Sequence, residues 1–434
     1  MKVVDNDADI DTDTDTDPEE GCLSTMTSAR PAIVFCMPLR GHFQRLRSII
    51  AGLAEQGVPV HVFTDRAFAP AVERAGGRFV DLFAGRPLES VDATSMPMPC
   101  RFVSFAGYCA DAVAREVAAL RPGVIIHDTF AVIGWAVANQ LGVPRVNVCA
   151  AHNTAPAPTL ARLQRDPRVA IAPVCHDAAR RLRERYGIVD ANPFSYVTGV
   201  SPDLNVYCEP PQFLPAEDRA AFEPLVFYGS LSTDELEGRV TDPSPWPEGA
   251  GASRVYVSFG TVIWRYYETD ARRALATIAD AIASLSDTNA LISLGGWERM
   301  GLAPELARPN VRIEGYVDQV HVLRAATAFI THHGLNSTHE AVANRVPMIS
   351  YPFFGDQPAM TTRCRELGIA VPLATAPRAA FTANDVRAAL ARVAAERSTL
   401  AARLSEAREW ELATIRERPQ VIARIRELMA RGSS

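Results

Sequence analysis

Two side chains of this sequence could share one proton. His42 follows an apolar run, Pro31 to Pro38, and Asp128 follows another, Val124 to Ile126. An imidazole takes a proton readily near neutral pH, and a carboxylate behind it would orient the ring and stabilise its charged form. Taken singly, a histidine there is usually structural and an aspartate there is usually a helix N-cap. A second group of residues suits a phosphate. Thr331-His332-His333-Gly334-Leu335-Asn336-Ser337 ends a strand-like run and opens a helix. Free backbone N–H groups and the positive end of the helix dipole attract anions at such a point. Gly334 lets the backbone come close, His332, Asn336 and Ser337 can donate hydrogen bonds, and Glu340, one turn on, can accept them from ribose hydroxyls. Read alone, the same stretch is also an ordinary helix start. Ser258-Phe259-Gly260-Thr261 is a second glycine-bearing turn of this kind. Gly355-Asp356-Gln357 sets a carboxylate beside a carboxamide, which suits the hydroxyls of a sugar and, equally, a polar surface loop.

These residues need elements to hold them. Apolar runs at Pro31–Pro38, Val58–Thr64, Arg78–Leu82, Val124–Ile126 and Pro144–Val148 alternate with helical patterns, and the alternation predicts a parallel sheet built from βαβ units. Residues 150–225 are less regular, with one charged helix near Asp177 to Arg185. Prolines and glycines then crowd between about 232 and 252, a linker. The alternation restarts with strands at Arg254–Phe259, Ala290–Leu294, Val311–Glu314, Ala328–Thr331 and Pro347–Tyr351, and helices fill most of Thr382 to Met429. The expected fold is α/β, with two doubly wound domains facing across a cleft. Such sheets bind ligands beyond the carboxyl ends of their strands. The expected division is an acidic tail over 1–29, an N-terminal domain over 30–232, a linker over 233–252, a C-terminal domain over 253–410, and a helix over 411–434 crossing back to the first domain.

Composition narrows the function. The chain of 434 residues has a formal net charge of −6, but residues 2–20 hold seven Asp, two Glu and one Lys. The remainder carries 43 basic and 41 acidic residues, so nothing in its charge asks for nucleic acid or an anionic membrane. Asp5 to Glu20 has almost nothing to bury and reads as a disordered tail without the apolar core of a signal peptide. The globular pattern begins shortly after Met26, an alternative start. No apolar run reaches the ~18–20 residues that span a membrane. Eight scattered cysteines form no close pair, which is reduced, cytoplasmic usage. A dehydrogenase finds no support, since no G-x-G-x-x-G follows Ile33 to Met37.

Tyr316-Val317-Asp318-Gln319, then Thr331 to Ser337 with Glu340, then Pro347, Pro352 and Gly355-Asp356-Gln357 together resemble the nucleotide-sugar signature of family 1 glycosyltransferases. That family pattern reads W-x-P-Q, H-C-G-W-N-S-x-x-E and P-x-x-x-D-Q-x-x-N. Gly41-His42 and Ser258-Phe259-Gly260-Thr261 extend the likeness over nearly all of the globular chain. The resemblance implies the GT-B fold and an inverting, metal-independent transfer of a sugar, glucose or a deoxyhexose, from a uridine or thymidine diphosphate to a hydroxyl of a small acceptor. It implies that His42 and Asp128 form a catalytic dyad and that Tyr316 stacks on the base. Val317, Gln319 and Glu340 match nucleoside positions; Ser258, Gly260, Thr261, His332, Gly334, Asn336 and Ser337 match the diphosphate cradle; Asp356 and Gln357 match sugar contacts. No cofactor or metal is expected, and the partners are the nucleotide sugar and a small natural-product acceptor.

Departures from the pattern fall at Asp318 for Pro, His333 for Cys, Leu335 for Trp and Met360 for Asn. Arg45 stands where the family has Pro after G-H-x-N, a candidate influence on acceptor choice. Acceptor loops are expected in 66–108 and 150–200, where Phe68, Phe79, Phe83, Phe102, Phe105 and Tyr108 point to an apolar acceptor or to core. Two rivals share the fold: a nucleotide-sugar epimerase, whose carboxylate-centred chemistry has no use for His42, and a non-catalytic activator protein, which would have no use for the dyad.

Overall fold

A computed structural model of the chain describes residues 30–231, 245–246, 253–296 and 301–431. The acidic tail and most of the expected linker lie outside the described residues.

Among the described residues thirteen strands form two sheets. The first contains β1 (Ala32–Phe35), β2 (Val60–Thr64), β3 (Arg78–Asp81), β4 (Val124–Asp128), β5 (Arg145–Cys149), β6 (Leu204–Tyr207) and β7 (Leu225–Phe227), in the order β3-β2-β1-β4-β5-β6-β7. The second contains β8 (Ser253–Ser258), β9 (Thr288–Ser293), β10 (Val311–Glu314), β11 (Ala328–Thr331), β12 (Met348–Ser350) and β13 (Ala370–Pro372), in the order β10-β9-β8-β11-β12-β13. Every pairing in both sheets is parallel. Helices cover both faces, so central strands such as β1 and β4 are buried along their whole length and read as unbroken apolar runs. The fold is the GT-B arrangement of two doubly wound domains.

The five strands expected in each domain are present, and three more were not foreseen. β6, β7 and β13 are four, three and three residues long, and Asn205 and Pro372 interrupt their apolar character. Segments that short carry no periodicity; they pair because neighbouring strands supply an edge.

The first helix shows how sequence and packing agree. Arg40–Glu55 places Phe43, Leu46, Ile49, Ile50 and Leu53 on one buried face, the spacing of an amphipathic helix. It starts at Arg40, so Gly41 and His42 lie in its first turn. Helix Cys100–Ala119 takes up Phe102 and Phe105 on its buried face.

At the carboxyl end, helices Arg397–Arg416 and Arg418–Arg431 follow almost without a break. Leu404 and Ala407 of the former join the core of the second domain. Val421, Ile422, Ile425, Leu428 and Met429 of the latter join Ala32, Val34 and Leu46 in the first domain's core. The last helix therefore belongs physically to the first domain. No helix among the described residues is long and apolar enough to cross a membrane.

Ile425 is fully buried and Glu427, on the same helix, is exposed. Ile425→Ala should cost ~2–5 kcal/mol by cavity formation, and Glu427→Ala under about 0.5 kcal/mol. Urea unfolding checks this; equal and small effects would mean that the helix contributes nothing to the first domain.

Candidate active site

In each sheet the order of winding reverses between two adjacent strands, β1 and β4 in the first and β8 and β11 in the second. The connections after these strands diverge and leave a crevice at their carboxyl ends. Register then brings particular residues together. Phe35 pairs with His127, so the residues just beyond β1 and β4 meet. Ser258 pairs with Thr331, so the turn after β8 meets the turn after β11.

In the first crevice His42 Nδ1 lies 3.0 Å from Asp128 Oδ1. Asp128 has no exposure, and His42 retains 9%. Both carboxylate oxygens are engaged: Oδ2 accepts from Met37 N–H at 2.9 Å, and Oδ1 also accepts from Phe130 N–H at 2.7 Å. Burial alone would push this carboxyl up, but His42 and the two backbone donors outweigh it and hold it below the usual carboxylate range. The group is therefore an anion near neutral pH. It fixes the proton of the imidazole on Nδ1 and leaves Nε2 as the acceptor. The Phe130 ring packs against His42 at 4.3 Å between centroids, confining its orientation.

In the second crevice His332 is the keystone. A Cβ at Gly334 would lie 2.6 Å from its Nε2, and one at Gly260 would lie 2.8 Å away. Only glycine at both turns lets the ring sit between them, and Gly260 also adopts φ +72°. Burial lowers the His332 imidazole to about 4, so near neutral pH it is a neutral hydrogen-bonding group. The helix Leu335–Ala343 opens beside it with Gly334 at its N-cap and no side chain capping its first N–H groups. His333, in place of the family's Cys, is buried in a left-handed conformation of φ +60°. Its ring bridges Thr338 and Ser350 at 3.1 and 2.7 Å, so it serves the packing behind the turn.

The remaining residues form a chain along one wall. Gln319 Nε2 donates to Glu340 Oε2 at 2.6 Å and to Ser337 Oγ at 3.0 Å, and Tyr256 OH donates to Gln319 Oε1 at 3.2 Å. Tyr316 at the rim is 62% exposed, leaving a bare ring face. Gln357 Oε1 accepts from the N–H groups of Phe353 and Phe354, which turns its NH₂ into the available end. Asp356 accepts from the backbone N–H of His152, a residue of the other domain, at 3.1 Å. Burial pushes the Asp356 carboxyl up.

A single cavity of about 560 Å³ between the domains is lined by His42 and by every donor-side residue singled out in the sequence: Ser258, Gly260, Thr261, Tyr316, Val317, Gln319, His332, Gly334, Asn336, Ser337, Glu340, Asp356 and Gln357. Asp128 stands behind His42. Three expectations change. Arg45 is 2% exposed and donates to Ser230 Oγ at 2.8 Å, away from the cavity, while Arg40 lines it. Met360 is buried in the second domain's core, so the family's Asn has no polar equivalent facing the cavity. None of the six aromatics read as either acceptor contacts or core lines it; Phe68 stacks on Phe43, Phe102 and Phe105 are core, and Tyr108 lies under Arg181. Met96, Met98, Phe130, Leu163, Val169, Tyr196 and Tyr267 line it instead. Met96, Met98, Leu163, Val169 and Tyr196 fall within the two stretches where acceptor loops were expected, Phe130 follows β4, and Tyr267 belongs to the second domain.

Comparison with known proteins agrees with this geometry. Residues 246–406 match the family described as UDP-glucoronosyl and UDP-glucosyl transferase. The oleandomycin glycosyltransferase of Streptomyces antibioticus is 23% identical over 390 residues, 85% of each chain. A Bacillus subtilis protein described as an uncharacterized UDP-glucosyltransferase, YdhE, is 24% identical over 365 residues, 78% of this chain and 84% of the other. Among solved structures, the glycotransferase of kitacinnamycin superposes with a TM-score of 0.71 at 23% identity, over 91% of this chain and 99% of that one. CalG4, the calicheamicin glycosyltransferase, gives 0.68 at 19% identity over 92% and 99%.

Gly334 has an ordinary φ of −62°, so Gly334→Ala tests the cradle without straining the backbone. The new methyl should displace His332 and weaken binding of a free nucleoside diphosphate by about 10-fold or more, ~1.4 kcal/mol or above. Calorimetry measures it, with circular dichroism showing the fold retained; unchanged affinity would remove His332 from the phosphate site.

Proposed function

We propose that the chain is a family 1 glycosyltransferase that takes sugar from a nucleoside diphosphate, a reading supported by the family match and the relatives, and that it makes a direct, inverting, metal-independent transfer to a hydroxyl of a small, apolar natural product. The observation that carries the proposal is the His42–Asp128 pair at 3.0 Å, opening onto the same cavity as the His332 turn.

His42 Nε2 takes the proton of the acceptor hydroxyl. The acceptor oxygen bonds to the anomeric carbon from the face opposite the diphosphate, and the bond from that carbon to the diphosphate oxygen breaks. Asp128 stabilises the imidazolium so formed. The negative charge gathering on the diphosphate meets the uncapped N–H groups of helix Leu335–Ala343, with His332 and Thr261 as neutral donors. These fixed dipoles supply the stabilisation that a metal ion would otherwise provide. Tyr316 stacks on the base, Gln319 and Glu340 hold the nucleoside, and Asp356 and Gln357 grip the sugar as acceptor and donor of hydrogen bonds.

Glucose or a deoxyhexose on uridine or thymidine diphosphate is the proposed donor. An apolar acceptor is supported by Met96, Met98, Leu163, Val169 and Tyr196 along the cavity and by the oleandomycin enzyme's likeness over most of both chains. The proposed compartment is the cytoplasm, supported by seven free, buried cysteines among the described residues.

His42→Ala should lower turnover with alcohol acceptors by ~10²–10⁴-fold and leave donor binding nearly unchanged. The loss should shrink as acceptor acidity rises, because an acidic phenol needs less help with its proton. Asp128→Asn should cost less, and the double variant should be less than additive. Steady-state rates with and without EDTA, after a calorimetric screen of nucleotide sugars, decide the matter. Near-normal turnover of His42→Ala with a weakly acidic alcohol would make the residue structural; activity lost to EDTA and restored by magnesium would overturn the metal-free mechanism.

A further inference from the structure

We infer that Glu209 is a positioning residue for sugar transfer, the centre of a buried His–Glu–His–Glu chain that fixes the carboxylate of Asp356 and the seam between the domains as one unit. The inference rests on the reading of Asp356 as a sugar contact.

Glu209 lies two residues beyond β6 and has no exposure. Its Oε2 is 2.8 Å from His152 Nδ1, and its Oε1 is 3.0 Å from His339 Nε2. These imidazoles come from opposite domains. His152 follows β5, lines the cavity, and gives its backbone N–H to Asp356. His339 lies in the helix whose first turn faces the phosphate site, next to Glu340. Its Nδ1 is 3.3 Å from Glu411 Oε2. Glu411, on helix Arg397–Arg416, accepts with its other oxygen from the N–H groups of Ser230 and Leu231, where the chain leaves the first domain. Four side chains, each essentially without exposure, thus join the sugar carboxylate, the phosphate-facing helix and the interdomain segment.

Burying four ionisable groups in a row is costly unless each keeps its partner. Both oxygens of Glu209 are committed, one to each domain, so moving the domains apart strips a buried carboxylate of a donor. For the same reason a shift of His152 at the cavity reaches His339 through a single side chain. Of the four, His152 alone reaches the cavity wall; Glu209, His339 and Glu411 act through it and through the helix.

The charges agree with the geometry. Burial would raise the Glu209 carboxyl, but His152 and His339 hold it at about 2 against an ordinary 4.5. Burial would lower the His339 imidazole, but Glu209 and Glu411 raise it to about 9 against an ordinary 6.5. Tyr207, Cys208, Cys149 and Cys364 also face Glu209 and stay neutral, their own groups pushed up by burial. Arg418 stands near Glu411. His339, with its raised value, contributes fully below 6.5 and is lost as pH rises through about 9. Glu209, with its depressed value, contributes fully above 4.5 and is lost as pH falls through about 2. The chain is complete between those ordinary values and opens first on the alkaline side.

The test is calorimetric binding of UDP, UDP-glucose, dTDP and dTDP-glucose to the full chain between pH 6 and pH 10. Glu209→Gln keeps the shape and removes the charge. It should weaken the intact sugar nucleotide by about 10- to 100-fold, the worth of a charged hydrogen bond, and change the free diphosphate less than about 2-fold. The alkaline loss of sugar-nucleotide affinity should move to lower pH in this variant, because His339 keeps one carboxylate of its two. Glu209→Asp retains the charge and should keep the wild-type alkaline limb with an intermediate affinity, which also serves if the glutamine variant does not fold. Unchanged affinity and pH dependence in a folded Glu209→Gln, or equal weakening of diphosphate and sugar nucleotide, overturns the inference. Asp356→Ala in parallel separates the two levels. If it too fails to discriminate sugar nucleotide from diphosphate, the sugar-contact reading falls and takes this inference with it; if it discriminates and Glu209→Gln does not, this inference alone falls.

Discussion

Three carboxylates, those of Asp128, Glu209 and Glu411, are removed from water entirely, and each must be met by donors or the fold loses more than it gains from packing around them. All three are met by imidazoles. One oxygen or both accept from an imidazole, and for Asp128 and Glu411 backbone N–H groups complete the shell. The cost of burial is offset by pairing with histidines, and two of these line the cleft: His42 in the first domain's crevice and His152 beside Asp356. Rigidity around the site is therefore a consequence of charge satisfaction more than of close apolar packing.

Parallel pairing decides where these groups can be. With every strand running the same way, all carboxyl ends of a sheet lie at one edge, and the winding reversal opens a gap there. β1 and β4 deliver His42 and Asp128 to one gap, and β8 and β11 deliver Gly260 and His332 to the other. The two domains face each other across these edges. The last helix, with Ile425 and Met429 set into the first domain's core, and Glu411 at the interdomain segment hold that pairing. The His42–Asp128 pair and the His332 turn thus come from different domains and meet at one cavity.

The site's division of labour follows from its electrostatics. Near neutral pH the cradle residue His332 is neutral because it is buried, whereas His339 is charged because two carboxylates flank it. The same residue type takes opposite roles seven residues apart, along one turn and helix, because the neighbours differ.

The sequence alone determined the central strands, the two-domain alternation and the donor wall. Long apolar runs and helical periodicity are local signals, and the phosphate and sugar residues stand within short stretches around strand ends, where spacing is a geometric statement. It also placed His42 past the first strand and Asp128 at the carboxyl end of β4, although their 3.0 Å contact required the β1–β4 register. Tertiary structure decided the rest. β6, β7 and β13 are too short to show a period and exist because an edge is offered to them. The acceptor wall draws single residues from separate elements, so Met96 or Leu163 carries no mark, and the visible aromatics Phe102 and Phe105 went to the core. Arg45 turned from the cavity because its position on the first helix faces the interdomain segment. Glu411 left one trace, a charge in the stripe Leu400, Leu404, Ala407, Glu411, Thr414 where an apolar residue is expected. Its partners lie 72 residues away at His339 and 180 and 181 residues away at Leu231 and Ser230. A sequence states that such a charge is out of place; only the folded chain supplies the groups that make burying it favourable.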